Sequence, residues 1–130
     1  MPLLLPSLAR ASISSRKLRD YVLDEEHPLG CHKARVFKSV LGIDKRHADA
    51  LAEIIRGSLP RALAQRRKSD EHGHRWVTHH EMVGVNAPAI VTVAWIFKTE
   101  EPDIPVLVSC YIDTERQEEL ARLLRGARVL

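Results

Sequence analysis

The segment Ala89-Ile90-Val91-Thr92-Val93-Ala94-Trp95-Ile96-Phe97 carries one hydroxyl in an otherwise apolar run. A strand with one wet face would alternate. A run that barely alternates suits a strand covered on both sides, in the interior of a sheet. That constraint sets what its neighbours must do. Trp76–Val83 reads as a strand, Gly84–Pro88 as the turn between, and Thr99–Asp103 as the next turn. Ile104–Ile112 follows as a further strand, with Pro105 at its start, where a missing N–H is tolerated. The expected core of the molecule is an antiparallel meander. Arg66–Gly73, dense in charge, reads as a loop before it.

Upstream, the apolar spacing is helical. Leu18, Tyr21 and Val22 recur within Arg16–Leu23. His27-Pro28-Leu29-Gly30 then breaks the chain, because a residue before proline is driven out of the α region and glycine permits an unusual turn. A second helix is expected over Lys33–Leu41, with Ala34, Phe37, Val40 and Leu41 on one face and Gly42 as its stop. Asp44 is placed to cap the longest helix, whose stripe is Ala48, Leu51, Ala52, Ile54, Ile55 and Leu59. Gly57 and Pro60 end or kink it, with a helical turn resuming through Arg61–Gln65. After the meander, Asp113 or Thr114 caps a final helix carrying Leu120, Leu123 and Leu124. Helices, meander, helix: the fold class is α+β, with N-terminal helices packed on a three- to four-stranded antiparallel meander plus a C-terminal helix.

A chain of 130 residues, 45% of them apolar, supports one domain with one core. Residues 16–130 form that domain. Residues 1–15, with Pro2 and Pro6 and several serines, read as a tail or loosely packed lead-in. A cleaved organelle-targeting segment is the alternative, since Arg10 and Arg16 occur before any acid. Cys31 and Cys110 lie far apart in apolar settings and read as small buried hydrophobes. That pattern, with no apolar run long enough to span a bilayer, points to a reducing, cytoplasmic setting without membrane contact. The net charge of +3 nudges the expectation towards anionic partners.

Four groups of residues carry candidate chemistry. In His27-Pro28-Leu29-Gly30-Cys31-His32-Lys33-Ala34-Arg35, two cations occupy the start of a helix, the positive end of its dipole. An anion held on free backbone N–H groups would complete such a site. The plain alternative has His27 packing in the turn and both cations pointing to water. Next, His72, His74, His79 and His80 match no standard zinc spacing. His79 and His80 are adjacent on a strand and so point to opposite faces. They read as surface imidazoles, with one face-selected functional His at most.

The third group depends on strand register. If position 98 pairs with 104, then Trp95, Ser109 and Tyr111 share a face. A slip of one residue replaces Trp95 by Thr92. The fourth is the cationic series Arg61, Arg66, Arg67 and Lys68, with Arg116, Arg122, Arg125 and Arg128. Interleaved acids make this series read as a solvated face rather than a nucleic-acid track.

The first of these motifs has relatives. Lys17-Leu18-Arg19-Asp20-Tyr21-Val22-Leu23, then His27-Pro28-Leu29-Gly30 and Lys33-Ala34-Arg35-Val36-Phe37, closing on Leu41-Gly42, resembles a small bacterial domain family of unknown function with the pattern KLxxYLLxxxHPxGxxKAxxF. Ala94-Trp95-Ile96 and Pro105-Val106-Leu107-Val108-Ser109-Cys110-Tyr111 resemble its second half. The charged stretch Ala64–His74 departs from the pattern as an insertion. Such domains also occur at the ends of phage head-morphogenesis and polymorphic-toxin chains. That company implies kinship with the barnase–EndoU–colicin–RelE-like ribonucleases.

The resemblance implies a metal-independent endoribonuclease with neither metal nor organic cofactor. His27 is then base or acid, and Lys33 holds the phosphate with Arg35 in support. Ser109 or Tyr111 orients the phosphate or the leaving oxygen, and Trp95 packs beneath the site or stacks on a base. Thr92, two residues from Ala94, departs from the family pattern, which often has a threonine nearer the tryptophan; it enters as a substrate contact through the strand register alone. Its partners are RNA and a protein inhibitor or second copy. The alternative is a non-catalytic interaction module, immunity-like or homodimeric. A zinc-using hydrolase built on the His cluster is the third reading.

Overall fold

The structure, a computed structural model, describes residues 4–84 and 88–129, with side chains described to residue 126. In chain order the elements are α1 (Ser15–Lys17), α2 (Cys31–Leu41), α3 (Ala48–Ser58), β1 (Leu63–Asp70), β2 (Gly73–Val83), β3 (Pro88–Lys98), β4 (Pro105–Tyr111) and α4 (Gln117–Val129). The strands form one antiparallel sheet in the order β1-β2-β3-β4. The expected α+β meander is what the chain adopts, at the four-stranded limit. Among the described residues no helix is long and apolar enough to cross a membrane.

Helix boundaries follow local chemistry. Ser14 caps α1 by accepting from the Lys17 N–H, and the chain tightens into a π-helical turn over Leu18–Val22. Asp44 does act as a cap. It serves a 3-10 turn at Lys45–His47, and His47 Nδ1 accepts the Asp44 N–H in return, closing a reciprocal box at the entry to α3. Gly42 ends α2 with φ 72°, a backbone state that glycine reaches without strain.

Directly paired residues share a face, so the registers sort the sheet into two sides. The inner face carries Thr78, His80, Met82, Val91, Val93, Trp95, Phe97, Leu107 and Cys110. Its apolar members pack with Leu18, Val22, Phe37, Leu51 and Ile55 into the main core. The outer face carries Val77, His79, Ile90, Thr92, Ala94, Ser109 and Tyr111. Here α4 docks through Leu120 and Leu124 onto Ile90 and Leu63, a separate small cluster. Helices therefore lie on both sides of the sheet.

Three local expectations are corrected. The charged stretch Arg66–Gly73 is mostly strand: β1 runs from Leu63 to Asp70 and turns through Glu71 and His72 into β2. The helical turn expected over Arg61–Gln65 is instead a 3-10 turn at Leu59–Arg61, followed at once by β1. Ala64–His74 is thus the first hairpin of the sheet. Cys31 is half-buried at the start of α2, whereas Cys110 is buried, its thiol pushed up to about 12 by loss of water. Of the expected Gly84–Pro88 turn, residues 85–87 lie outside the described residues.

Residues 4–15 carry structure of their own. Leu5 and Ala11 are buried in the main core, and Ser12 bridges Val106 in parallel. The Ser12 N–H donates to Pro105 O, and the Leu107 N–H donates to Ser12 O. The bridge covers part of the outer edge of β4. Met1, Pro2 and Leu3 lie outside the described residues.

Candidate functional site on the outer face

The expected register alternatives both occur, one on each side of a bulge. Near the β3–β4 turn Trp95 pairs with Leu107, which is the first alternative; beyond it Ala94 pairs with Ser109 and Thr92 with Tyr111, which is the second. The extra residue is Val108, and it rotates the rest of β4 by half a period. Thr92, Ser109 and Tyr111 are left together on the outer face, and Trp95 turns inward.

A polar row results. Leu63, His79, Thr92 and Tyr111 stand directly opposite one another across the four strands. His79 Nε2 lies 2.8 Å from Gln65 Oε1, which can only accept, so this nitrogen carries the hydrogen. His79 Nδ1, 3.0 Å from Thr92 Oγ1, then accepts the threonine hydroxyl. Burial, with the positive charges of Arg67 and Arg116 nearby, lowers the His79 pKa to about 4. It is a neutral imidazole at neutral pH.

The row ends on a cation. Lys33 Nζ sits 5.0 Å from the centroid of the Tyr111 ring, within cation–π range. This contact brings the first turn of α2 to the end of β4. Ser109, two residues back on the same face, is buried, and its Oγ has no hydrogen-bond partner among the described residues. A buried hydroxyl without a partner is uncommon, because desolvation then goes uncompensated. Arg35 is exposed on α2.

His27 serves its own turn. Its Nδ1 accepts the N–H groups of Leu29 at 3.0 Å and Gly30 at 3.1 Å, and the ring stands edge-on to Tyr21 at 4.7 Å. With the Nδ1 lone pair engaged, the ring hydrogen of the neutral form is on Nε2. Gly30 is needed for closeness: a Cβ there would lie 2.7 Å from the Tyr21 carbonyl oxygen. Among the described residues no hydrogen bond joins His27 to Ser109.

Trp95 is 1% exposed, and its indole N–H donates to Thr78 Oγ1 at 2.9 Å. No face of that ring is open to stack on a base. It supports the sheet from the inner side. There the sequence reading overlooked a chain of hydrogen bonds. Thr78 Oγ1 lies 2.7 Å from His80 Nε2, and His80 Nδ1 lies 2.6 Å from Ser58 Oγ, which donates to Ile54 O.

The expected surface imidazoles are corrected in part. His79 and His80 are both about 1% exposed, on opposite faces as their spacing requires. His74 is exposed on β2 and bonds Arg66 and Ser69. Among the described residues, no three His, Cys, Asp or Glu side chains gather as a metal site. A sequence signal for the polar row did exist: Gln65, His79, Thr92 and Tyr111 are the polar positions of four consecutive strands. Reading it needed β1 recognised as a strand and the bulge located.

Compared with known proteins, the chain matches no curated protein and no solved structure. A family model for a domain of unknown function, DUF6883, matches residues 4–114, which takes in α1 to α3 and the whole sheet and stops short of α4. The chain belongs to that family.

Proposed function

We propose that the domain binds the phosphate backbone of RNA along the outer face of its sheet, in the manner of a ribonuclease-like fold that holds its ligand without cutting it. The observation that carries this reading is the Lys33–Tyr111 contact, which joins a cationic helix start to the polar row. Lys33 stands in the first turn of α2, where the helix dipole disfavours positive charge, and Arg35 follows just beyond that turn; an anion would offset the cost at Lys33. Neither residue has an ion-pair partner among the described residues. Ser109 lies on the same face, its hydroxyl buried and without a partner among the described residues.

Cleavage by way of the RNA 2′-hydroxyl needs a base with a free lone pair. The Nδ1 lone pair of His27 holds two backbone N–H groups. His79 is engaged at both nitrogens. Binding is therefore the better supported half of the ribonuclease reading.

Anisotropy of a labelled single-stranded RNA tests it, with DNA of the same sequence alongside. Lys33→Ala should weaken RNA binding about tenfold at low salt, and binding should fall steeply as salt rises. Equal affinity of wild type and Lys33→Ala removes the reading. RNA cleavage by wild type that His27→Ala abolishes and His27→Asn does not restore would reinstate the catalytic, toxin-like form of the reading.

A further inference from the structure

We infer that α4 is a displaceable cover over the RNA-binding face, occupying in the free protein part of the surface that the ligand takes when bound. The inference rests on the phosphate-binding reading above and adds its regulation.

The attachment of α4 is small and specific. Beyond the Thr92–Tyr111 pair, β4 ends and the backbone of Ile90 is left facing an empty ladder position. The Gln117 side chain fills it: Oε1 accepts the Ile90 N–H at 2.8 Å, and Nε2 donates to Ile90 O at 3.1 Å. One primary amide thus replaces a strand residue. The same Nε2 also donates to Asp113 O at 3.0 Å, which fixes the side chain to the start of its own helix. Beyond this clip, α4 is held by Leu120 and Leu124 against Ile90 and Leu63. These contacts lie apart from the main core, so their loss leaves that core untouched.

What α4 covers is the far end of the polar row. Leu63 and Thr92 flank His79 directly, and Ile90 is two residues from Thr92 on the same face. With α4 seated, His79 is 1% exposed. The helix also neutralises a cation there. Glu119 takes both forks of the Arg116 guanidinium, at 3.0 and 3.2 Å. That pair lies three residues apart at the helix start, so both side chains move with α4. Arg67, on β1, also bears on His79, so release of α4 would open a face that runs from Lys33 across the sheet to Arg67. The family match ends before α4, and the face it covers is built entirely within the matched residues.

The test uses the full chain with two variants that weaken the cover by different means. Gln117→Glu keeps the acceptor and loses the donor; Leu120→Asp removes the apolar contact. His79 is read by NMR titration, and RNA affinity by anisotropy. Both variants should raise the His79 midpoint from about 4 towards its ordinary range, near 6.5, and tighten RNA binding about tenfold. Amide exchange at Val93 should stay as slow as in wild type, showing an intact core. A His79 midpoint unchanged in both variants overturns the inference. So does an exposed His79 with unchanged RNA affinity, and in that case Lys33→Ala still losing affinity shows that the binding reading survives alone. RNA binding by none of the proteins removes both.

Discussion

Ser58 Oγ lies 2.6 Å from His80 Nδ1, and this contact ties the last turn of α3 to the middle of the sheet. Its direction follows from the neighbours. The Trp95 indole can only donate, so Thr78 Oγ1 accepts from it and passes its own hydrogen to His80 Nε2. His80 Nδ1 then carries the ring hydrogen and donates to Ser58, whose hydroxyl donates to Ile54 O. Every member is satisfied, and the chain fixes one tautomer of a buried ring. A serine beside a histidine invites a nucleophile reading, but here the imidazole is the donor, the wrong polarity for a base.

Ser58→Ala should therefore destabilise the fold by about 1–3 kcal/mol, the cost of leaving a buried N–H without a partner. Thr78→Val should cost at least as much, because it strands both the Trp95 N–H and His80 Nε2. Urea unfolding measures both. A loss below about 0.5 kcal/mol for each would mean that water replaces the chain without difficulty.

His27 allows structural and chemical roles to be separated by choice of side chain. His27→Ala removes the acceptor for the Leu29 and Gly30 N–H groups and should cost about 1 kcal/mol, as loss of a cap does. His27→Asn supplies a carbonyl oxygen suited to the same local bonds and should recover most of that stability. RNA affinity should follow stability in the pair. An asparagine variant as stable as wild type yet unable to bind RNA would give the ring a direct role at the ligand.

Two glycines fix the hairpins against their surroundings. Gly73 has φ 143°, and a Cβ there would collide with the Phe97 carbonyl oxygen across the strand pair. At Gly84 a Cβ would come within 2.5 Å of Leu41 Cα, where the end of β2 passes the end of α2. Gly73→Ala and Gly84→Ala should each lower stability by more than about 2 kcal/mol, whereas Gly57→Ala, with open space around it, should be neutral or stabilising. Thermal melts of the three variants decide the ranking.

Much of the architecture was readable from residue patterns because a buried strand and an amphipathic helix impose strong, different periods. β3 announced itself through Ala89–Phe97, and α2 and α3 through their stripes. β1 did not, because it is an edge strand: from Arg66 to Asp70 every residue is exposed, so no alternation is imposed and charge reads as loop. The site was harder still. Thr92, Ser109 and Tyr111 were named together only under one register, and Val108 makes each register true for half of β4. A bulge leaves no mark in composition. Lys33 reaching Tyr111 is a contact between segments far apart in the chain, which no local spacing encodes. His79 and His80 looked like surface residues because histidine usually is one, and nothing nearby in sequence supplies the partners Gln65, Thr92, Thr78 and Ser58.

Those partners give the protein a defined acid sensitivity. Burial holds His79 near a pKa of about 4 and His80 near about 3, against 6.5 for an ordinary imidazole. Above pH 6.5 both states of the protein leave these rings neutral, and they contribute no pH dependence. Below it the unfolded chain takes up protons that the folded chain refuses, so stability falls as pH falls. Each ring contributes a slope of about 1.4 kcal/mol per pH unit in the window where only the unfolded form is protonated. That window spans pH 6.5 to about 4 for His79 and continues to about 3 for His80. Asp44, held down to about 2 by Arg46, acts in the same direction at lower pH, where the unfolded carboxylate protonates first. Urea unfolding between pH 8 and pH 4 should therefore show a plateau followed by a steep decline, and His80→Gln should flatten that decline by about one proton's worth. An unchanged slope in His80→Gln would mean that the ring is hydrated in the fold, and the buried chain from Trp95 to Ser58 would not exist as described.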